Sequence, residues 1–412
     1  MAATIKYVEI DNLKIPVVFE EDKSLPILNL QLVFKNSGYM KDKKTSGLAS
    51  ISAKLLNEGT KKLGSTKFAA KLENKAISLH TSNGFETFVI ELSSLKDVHE
   101  EALKFLKELL EDPNYDKQTL EKVKTISIGS LKRKENDYDY MASNNLKKIL
   151  FKGTPLENPS SGTIESISSI KLEDVKKFIS KAIDLNNLII VAGGDFDYDE
   201  LIKKIKKVVK VIKAKGANSF EKYTANDSAT VDTILKDTQQ AYVYFGSPFK
   251  INPKDENVYK AKVASFILGG SGFGSRLMEE IRVKRGLAYS AYGYISINKS
   301  YSYFTGYLQT KLESADEAKE LVSKIVNKFV KKGVTQEELD SARDFLLGSE
   351  PLRTETLNQR LNQAFTLFYK GLEQDYTQKE LENIENLKLE DLNNYIESHK
   401  EIINLSYSIV RK

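Results

Sequence analysis

Two stretches of this chain carry residues whose types and spacing bear on chemistry. The first, Ser46 to Thr60, reads S-G-L-A-S-I-S-A-K-L-L-N-E-G-T. On a helix, positions i and i+4 share a face, so Ser50 and Lys54 stand one above the other with Ala53 beside them. Two histidines in that arrangement can share a zinc ion, and a neighbouring glutamate can take a proton from the metal-bound water. The residues present can do neither. Ser50 offers a weak neutral oxygen, Ala53 accepts no proton, and Lys54 brings an ammonium to where a dication would sit. At an effective dielectric of about 20, unit charges roughly 4 Å apart interact by about 4 kcal/mol, and a divalent ion doubles that. A charged Lys54 therefore opposes a metal. The second stretch, Leu268 to Tyr294, reads L-G-G-S-G-F-G-S-R-L-M-E-E-I-R-V-K-R-G-L-A-Y-S-A-Y-G-Y. Arg282 offers fixed, permanently charged donors, and the Tyr289 hydroxyl can donate to a developing oxyanion. By themselves, Arg282 also reads as a surface ion-pair residue and Tyr289 as a half-buried strand aromatic.

These stretches resemble two signatures of the pitrilysin (insulinase) family of metallopeptidases. Gly47, Ala49, Gly59 and Thr60 look like the frame of that family's inverted zinc motif H-x-x-E-H. In this frame the first His falls on Ser50, the Glu on Ala53 and the second His on Lys54. The resemblance puts a third ligand, a Glu, near Gly129, Ser130 or Leu131, and none of these is acidic. The glycine turn, S-R-L, helix, Arg and G-L-A-Y-S of the second stretch resemble the family's second-domain signature. There an Arg and a Tyr spaced as Arg282 and Tyr289 bind the substrate backbone and polarise the scissile carbonyl. Gly269, Gly270, Gly272 and Gly274 lack the Lys-Ser/Thr ending of a phosphate loop. They read either as a short substrate-handling loop, as in non-catalytic processing-peptidase subunits, or as a tight turn.

Composition narrows the classes. The 412 residues suffice for two to three domains on the usual length prior. A hydrophobic share of 41% supports real cores, and a net charge of +5 is too mild to argue for nucleic acid. There is no cysteine, so disulfides and thiolate metal sites are excluded. His80, His99 and His399 lie far apart with no ligand spacing. No stretch is long or apolar enough to span a bilayer. The N-terminus lacks the apolar core of a signal peptide, which leaves bacterial periplasm and cytoplasm both open.

The chain repeats one plan. Ile167 to Ile179 matches Ile384 to Ile396, and Leu120 to Ser130 matches Leu339 to Ser349, in the same order and at nearly equal offset. Alternation at Leu28, Leu30, Leu32 and Phe34, and at Phe88, Ile90 and Leu92, predicts half-buried strands. Asn187–Val191, Ala241–Phe245, Tyr301–Leu308 and Leu405–Val410 read as further strands. Val98, Ala102, Leu106 and Leu109 predict a helix that Pro113 stops. In Leu201–Lys213 the apolar residues share one helical face and the lysines the other, which reads as a packed domain helix or as a surface-binding one. The fold class is α+β, with two homologous domains, each a mixed β-sheet with helices mainly on one face. The expected domains are 1–215 and 228–412, joined by a linker at 216–227.

The resemblance covers essentially the whole chain and implies half of a clamshell around an unfolded peptide. It implies no cofactor in this chain and zinc in a partner. The expected function is a non-catalytic subunit of a heterodimeric zinc endopeptidase, inactive alone. A zinc-bearing paralogous subunit would be its partner and Arg282 and Tyr289 its contribution. The alternative is a catalytically silent homodimeric scaffold or peptide-binding protein, as in family members that serve as core subunits of a respiratory complex.

Overall fold

The computed structural model describes residues 3–42 and 45–412. The chain forms two compact units. The first holds residues 1–133, 159–220 and 353–369, and the second holds 134–158, 221–352 and 370–412.

The first unit is built on a six-stranded sheet. Its strands are β1 (Thr4–Ile10), β2 (Leu13–Glu21), β3 (Ile27–Lys35), β4 (Ser78–Asn83), β5 (Thr87–Leu95) and β6 (Leu188–Gly194). Their order is β1-β2-β6-β3-β5-β4, with β2 and β6 parallel and every other pair antiparallel. The second unit carries β7 (Val231–Leu235), β8 (Gln240–Pro248), β9 (Ala288–Ile297), β10 (Ser302–Lys311) and β11 (Ser406–Arg411) in the order β7-β11-β8-β10-β9. Again one pair, β7 with β11, is parallel and the rest are antiparallel. Without β1 the two orders are the same, so the internal sequence repeat is a repeat of topology. The anticipated α+β architecture of two mixed sheets with helices is therefore the observed one.

In each unit the alternating apolar residues put one sheet face into a large core. In the first, Leu28, Leu30, Leu32, Phe34, Phe88, Ile90 and Leu92 face the helices His99–Glu111, Leu172–Ala182 and Tyr198–Val209. Leu201, Ile205, Val208 and Ile212 are buried in that core, so the lysine-rich run is a packed helix. In the second, Val243, Phe245, Phe304, Leu308 and Ile409 pack with Val322, Val326 and Phe329 of the helix Ala315–Lys332.

The opposite faces are covered by an exchange of helices. The helix Leu357–Lys370, late in the chain, lies on the first unit's sheet. Leu357 and Leu361 pack there on Val18, Val33, Ile189 and Val191, with Phe365 and Phe368 beside them. Arg360 fastens it, reaching Glu20 at 2.7 Å and Asp22 at 2.6 Å. In return the helix Tyr138–Leu150 packs on β8 and β11 of the second unit. Asn145 there donates to Asp232 at 2.8 Å and Ser408 at 3.1 Å. Hydrophobic spacing reveals that these helices are amphipathic; it does not reveal which sheet they cover. Among the described residues no helix is long and apolar enough to cross a membrane.

Candidate functional site

The helix Leu48–Leu56 carries the altered zinc frame in the first unit. Its frame residues prove structural. Asp42 caps the helix, its carboxylate accepting the backbone N–H groups of Gly47 and Ala49 at 2.9 Å each. Burial pushes this carboxyl up to about 7, against the pull of those donors. Gly47 takes φ of +87°, and a Cβ there would lie 2.6 Å from the Ile167 side chain and 2.9 Å from Gly162. Only glycine fits. Ala49 is fully buried, and Thr60 is buried and bridges to Pro113. Packing alone therefore accounts for these frame residues.

The positions between those frame residues hold no ligand set. Ser50 is half-buried, Ala53 is buried and Lys54 is exposed. Lys54 Nζ donates to Ser127 Oγ at 2.9 Å, across to the helix Lys117–Lys134. Ser127 is thus the residue of that helix that meets Lys54. Gly129 and Ser130 are half-buried, and Leu131 packs in the core. The frame's own acid, Glu58, is engaged by Lys122 at 2.8 Å and by Ser65. A hydroxyl, a methyl and an ammonium do not fit zinc, which takes nitrogen, sulfur and carboxylate donors. Among the described residues no three His, Cys, Asp or Glu side chains are grouped to hold a metal.

The second unit presents a different arrangement. Gly269 packs against β9, where a Cβ would lie 2.5 Å from Gly293 N, so this glycine serves helix–sheet contact. Gly270 follows it in a π-helical turn in which Ser271 N–H donates to Phe266 O at 3.2 Å. Gly272 and Gly274 flank Phe273 in a turn closed by Ser275, whose N–H and Oγ both donate to Gly272 O, at 3.1 and 2.8 Å. Gly274, with φ of +93°, is the residue that lets this turn close. The four glycines therefore divide into packing and turning roles.

Arg276 of the S-R-L segment is an anchor. Its Nε and Nη2 pair with Glu338 at 2.5 and 2.6 Å, and Nη2 also donates to Gly333 O at 2.8 Å. Burial would raise the Glu338 carboxyl, but the Arg276 donors and the Thr335 N–H hold it below the usual range. Lys284 and Arg285 are both neutralised by Glu280, at 2.8 and 2.6 Å. Arg282 differs from all three. Its guanidinium lies over two ring faces, 4.7 Å from the Phe273 centroid and 4.5 Å from that of Tyr289. Among the described residues no carboxylate pairs with it. Both rings face water, Phe273 at 68% exposure and Tyr289 at 79%.

Two one-residue insertions aim this pair. Arg282 sits in a π-helical turn, Glu279–Val283, where Lys284 N–H donates five residues back to Glu279 O at 3.0 Å. Tyr289 sits at a β-bulge. Leu308 pairs with Ala291 and Thr310 with Ala288, leaving Tyr289 and Ser290 opposite Gln309 alone. Such insertions redirect side chains and recur at functional sites. Neither has a sequence signature here. Phe273 is the residue that the sequence reading passes over; its only signal is a large aromatic between two glycines.

The profile of insulinase (peptidase family M16) matches residues 16–164, and that of the peptidase M16 inactive domain matches residues 169–346. A Helicobacter pylori protein described as the non-peptidase homolog YmxG is 44% identical over 99% of this chain and 94% of its own length. A peptidase M16 inactive domain from Pseudomonas fluorescens superposes with a TM-score of 0.90 at 25% identity, covering 99% of this chain and 98% of that one. A protease from Helicobacter pylori has the same fold, with a TM-score of 0.88 at 18% identity over the whole of both chains.

Proposed function

The chain belongs to the insulinase (M16) peptidase family, and from that premise we propose that it is a non-catalytic member. In this reading it binds unfolded peptide and supplies Arg282 and Tyr289 to a zinc site held by a paralogous partner chain. The observation that carries the proposal is the state of Arg282. It is a permanent cation over two exposed ring faces, with no carboxylate partner among the described residues. Stacking fixes the guanidinium plane and leaves its N–H donors for an external acceptor. A peptide carbonyl, or the oxyanion that forms from it, is such an acceptor, and Tyr289 adds a hydroxyl donor beside it. The Ser50, Ala53 and Lys54 positions support the non-catalytic half of the reading. No proton acceptor or metal donor set stands there, so any zinc chemistry must come from elsewhere. Helicobacter pylori holds both a non-peptidase relative of this chain and a protease of its fold. A partnership of two such chains accords with that.

The test is reconstitution. The purified protein should carry no stoichiometric zinc by elemental analysis and hydrolyse no denatured, fluorescently labelled casein. Hydrolysis should appear on mixing with a zinc-bearing M16 chain from the same genome and fall in the Arg282→Ala and Tyr289→Phe variants. Unaided hydrolysis by this chain, or full activity of a complex carrying both substitutions, would overturn the reading. A stable homodimer that ignores the zinc-bearing chain would move the assignment to a scaffold.

A further inference from the structure

We propose that Phe273 is a positioning residue for Arg282, resting on the peptide-binding role just given. An arginine side chain has many rotamers, and ordering it costs free energy unless something fixes it first. Elsewhere in this segment carboxylates do the fixing: Glu338 holds Arg276, and Glu280 holds Lys284 and Arg285. At Arg282 a carboxylate would consume the donors that the ligand needs. Ring faces hold the guanidinium without engaging those donors, because the attraction acts through the face and the N–H groups point outward in the plane.

Tyr289 supplies one face as part of β9. The other comes from Phe273, and its placement is built. The Gly272–Ser275 turn is closed by two donors from Ser275, which is itself fully buried. That turn holds an apolar ring in water at 68% exposure. A phenyl group kept in solvent forgoes the stabilisation of burial, and the only ring contact it makes among the described residues is with Arg282. Phe273 therefore works through Arg282: it keeps the guanidinium plane pinned against Tyr289 before peptide arrives.

The experiment uses the full chain and, as probe, a fluorescein-labelled, carboxymethylated casein peptide followed by anisotropy. Phe273→Ala and Phe273→Leu should weaken binding about threefold to fivefold, the upper part of the range for an exposed cation–ring contact. Phe273→Tyr, which keeps the ring, should stay within about twofold. In an Arg282→Ala background, Phe273→Ala should cost nothing further. NMR of Arg-labelled protein provides a readout independent of peptide. The Arg282 side-chain protons should be shifted upfield by the two rings and move back in Phe273→Leu, with thermal stability unchanged. An unshifted Arg282, or a Phe273→Ala loss that persists without Arg282, would overturn the inference. Failure of Arg282→Ala itself to weaken binding would instead overturn the peptide-binding role.

Discussion

The helix Leu48–Leu56 and the segment Gly269–Tyr289 come from the two halves of one duplicated plan, yet they have kept opposite things. In the first, the backbone frame is intact: Asp42 caps the helix, Gly47 lets Gly162 and Ile167 close on it, and Ala49 fills the core. The positions between hold Ser50, Ala53 and Lys54, and Lys54 donates a hydrogen bond to Ser127. In the second, the frame is equally well built, with Arg276 locked to Glu338 and Gly269 against Gly293. Here, among the described residues, the Arg282 cation has no carboxylate partner and lies over two exposed rings. A fold thus holds its packing residues in both places, while the charged side chains of the two regions are engaged in different ways.

The comparison can be broken most sharply at the two arginines. Arg282→Ala should lower kcat/KM of a reconstituted complex by about 10²–10³, the cost of losing a charge-stabilising donor. Its melting temperature should be unchanged, since no ion pair is lost. Arg276→Ala should do the reverse and destabilise the chain by about 3 kcal/mol, because it strands the partly buried Glu338; denaturant unfolding measures this. If Arg276→Ala spared stability, the division into anchor and free cation would fail.

Smaller effects sharpen the first region. Asp42→Ala should cost about 1–2 kcal/mol through the lost cap. The Asp42 carboxyl, raised by burial to about 7 from 3.8, binds its proton more tightly in the folded chain. The stability it contributes is complete below pH 4 and is lost as pH rises through 7, with a slope of at most about 1.4 kcal/mol per pH unit. Asp42→Asn should flatten that slope in a stability–pH series. Smallest of all, the variant Ser50→His/Ala53→Glu/Lys54→His should gain only weak zinc binding by calorimetry, because no third ligand faces it. Adding Ser127→Glu should tighten it, whereas Ser130→Glu should tighten it less.

Much of this was legible in the chain. Alternation at Leu28–Phe34 and Phe88–Leu92 marked strands, and the spacing of Leu201, Ile205, Val208 and Ile212 marked an amphipathic helix, whose burial the core then decided. The repeat between Ile167–Ile179 and Ile384–Ile396 anticipated two sheets of one topology. Less legible was which sheet the helices Tyr138–Leu150 and Leu357–Lys370 cover, since an apolar stripe states that it must be buried and not by what. Nor was the hydrogen bond between Lys54 and Ser127 legible, since it joins residues 73 positions apart.

The sequence alone determined what cannot happen at positions 50, 53 and 54, because the presence of a donor is a property of side-chain type. Tertiary structure decided what Arg282 is. A π-helical turn and a β-bulge, each one residue wide and each without a residue signature, rotate Arg282 and Tyr289 onto one another. A glycine turn then brings the Phe273 ring under the same guanidinium. Side-chain direction follows backbone hydrogen-bond register, and that register is fixed only when the strands and helices have packed.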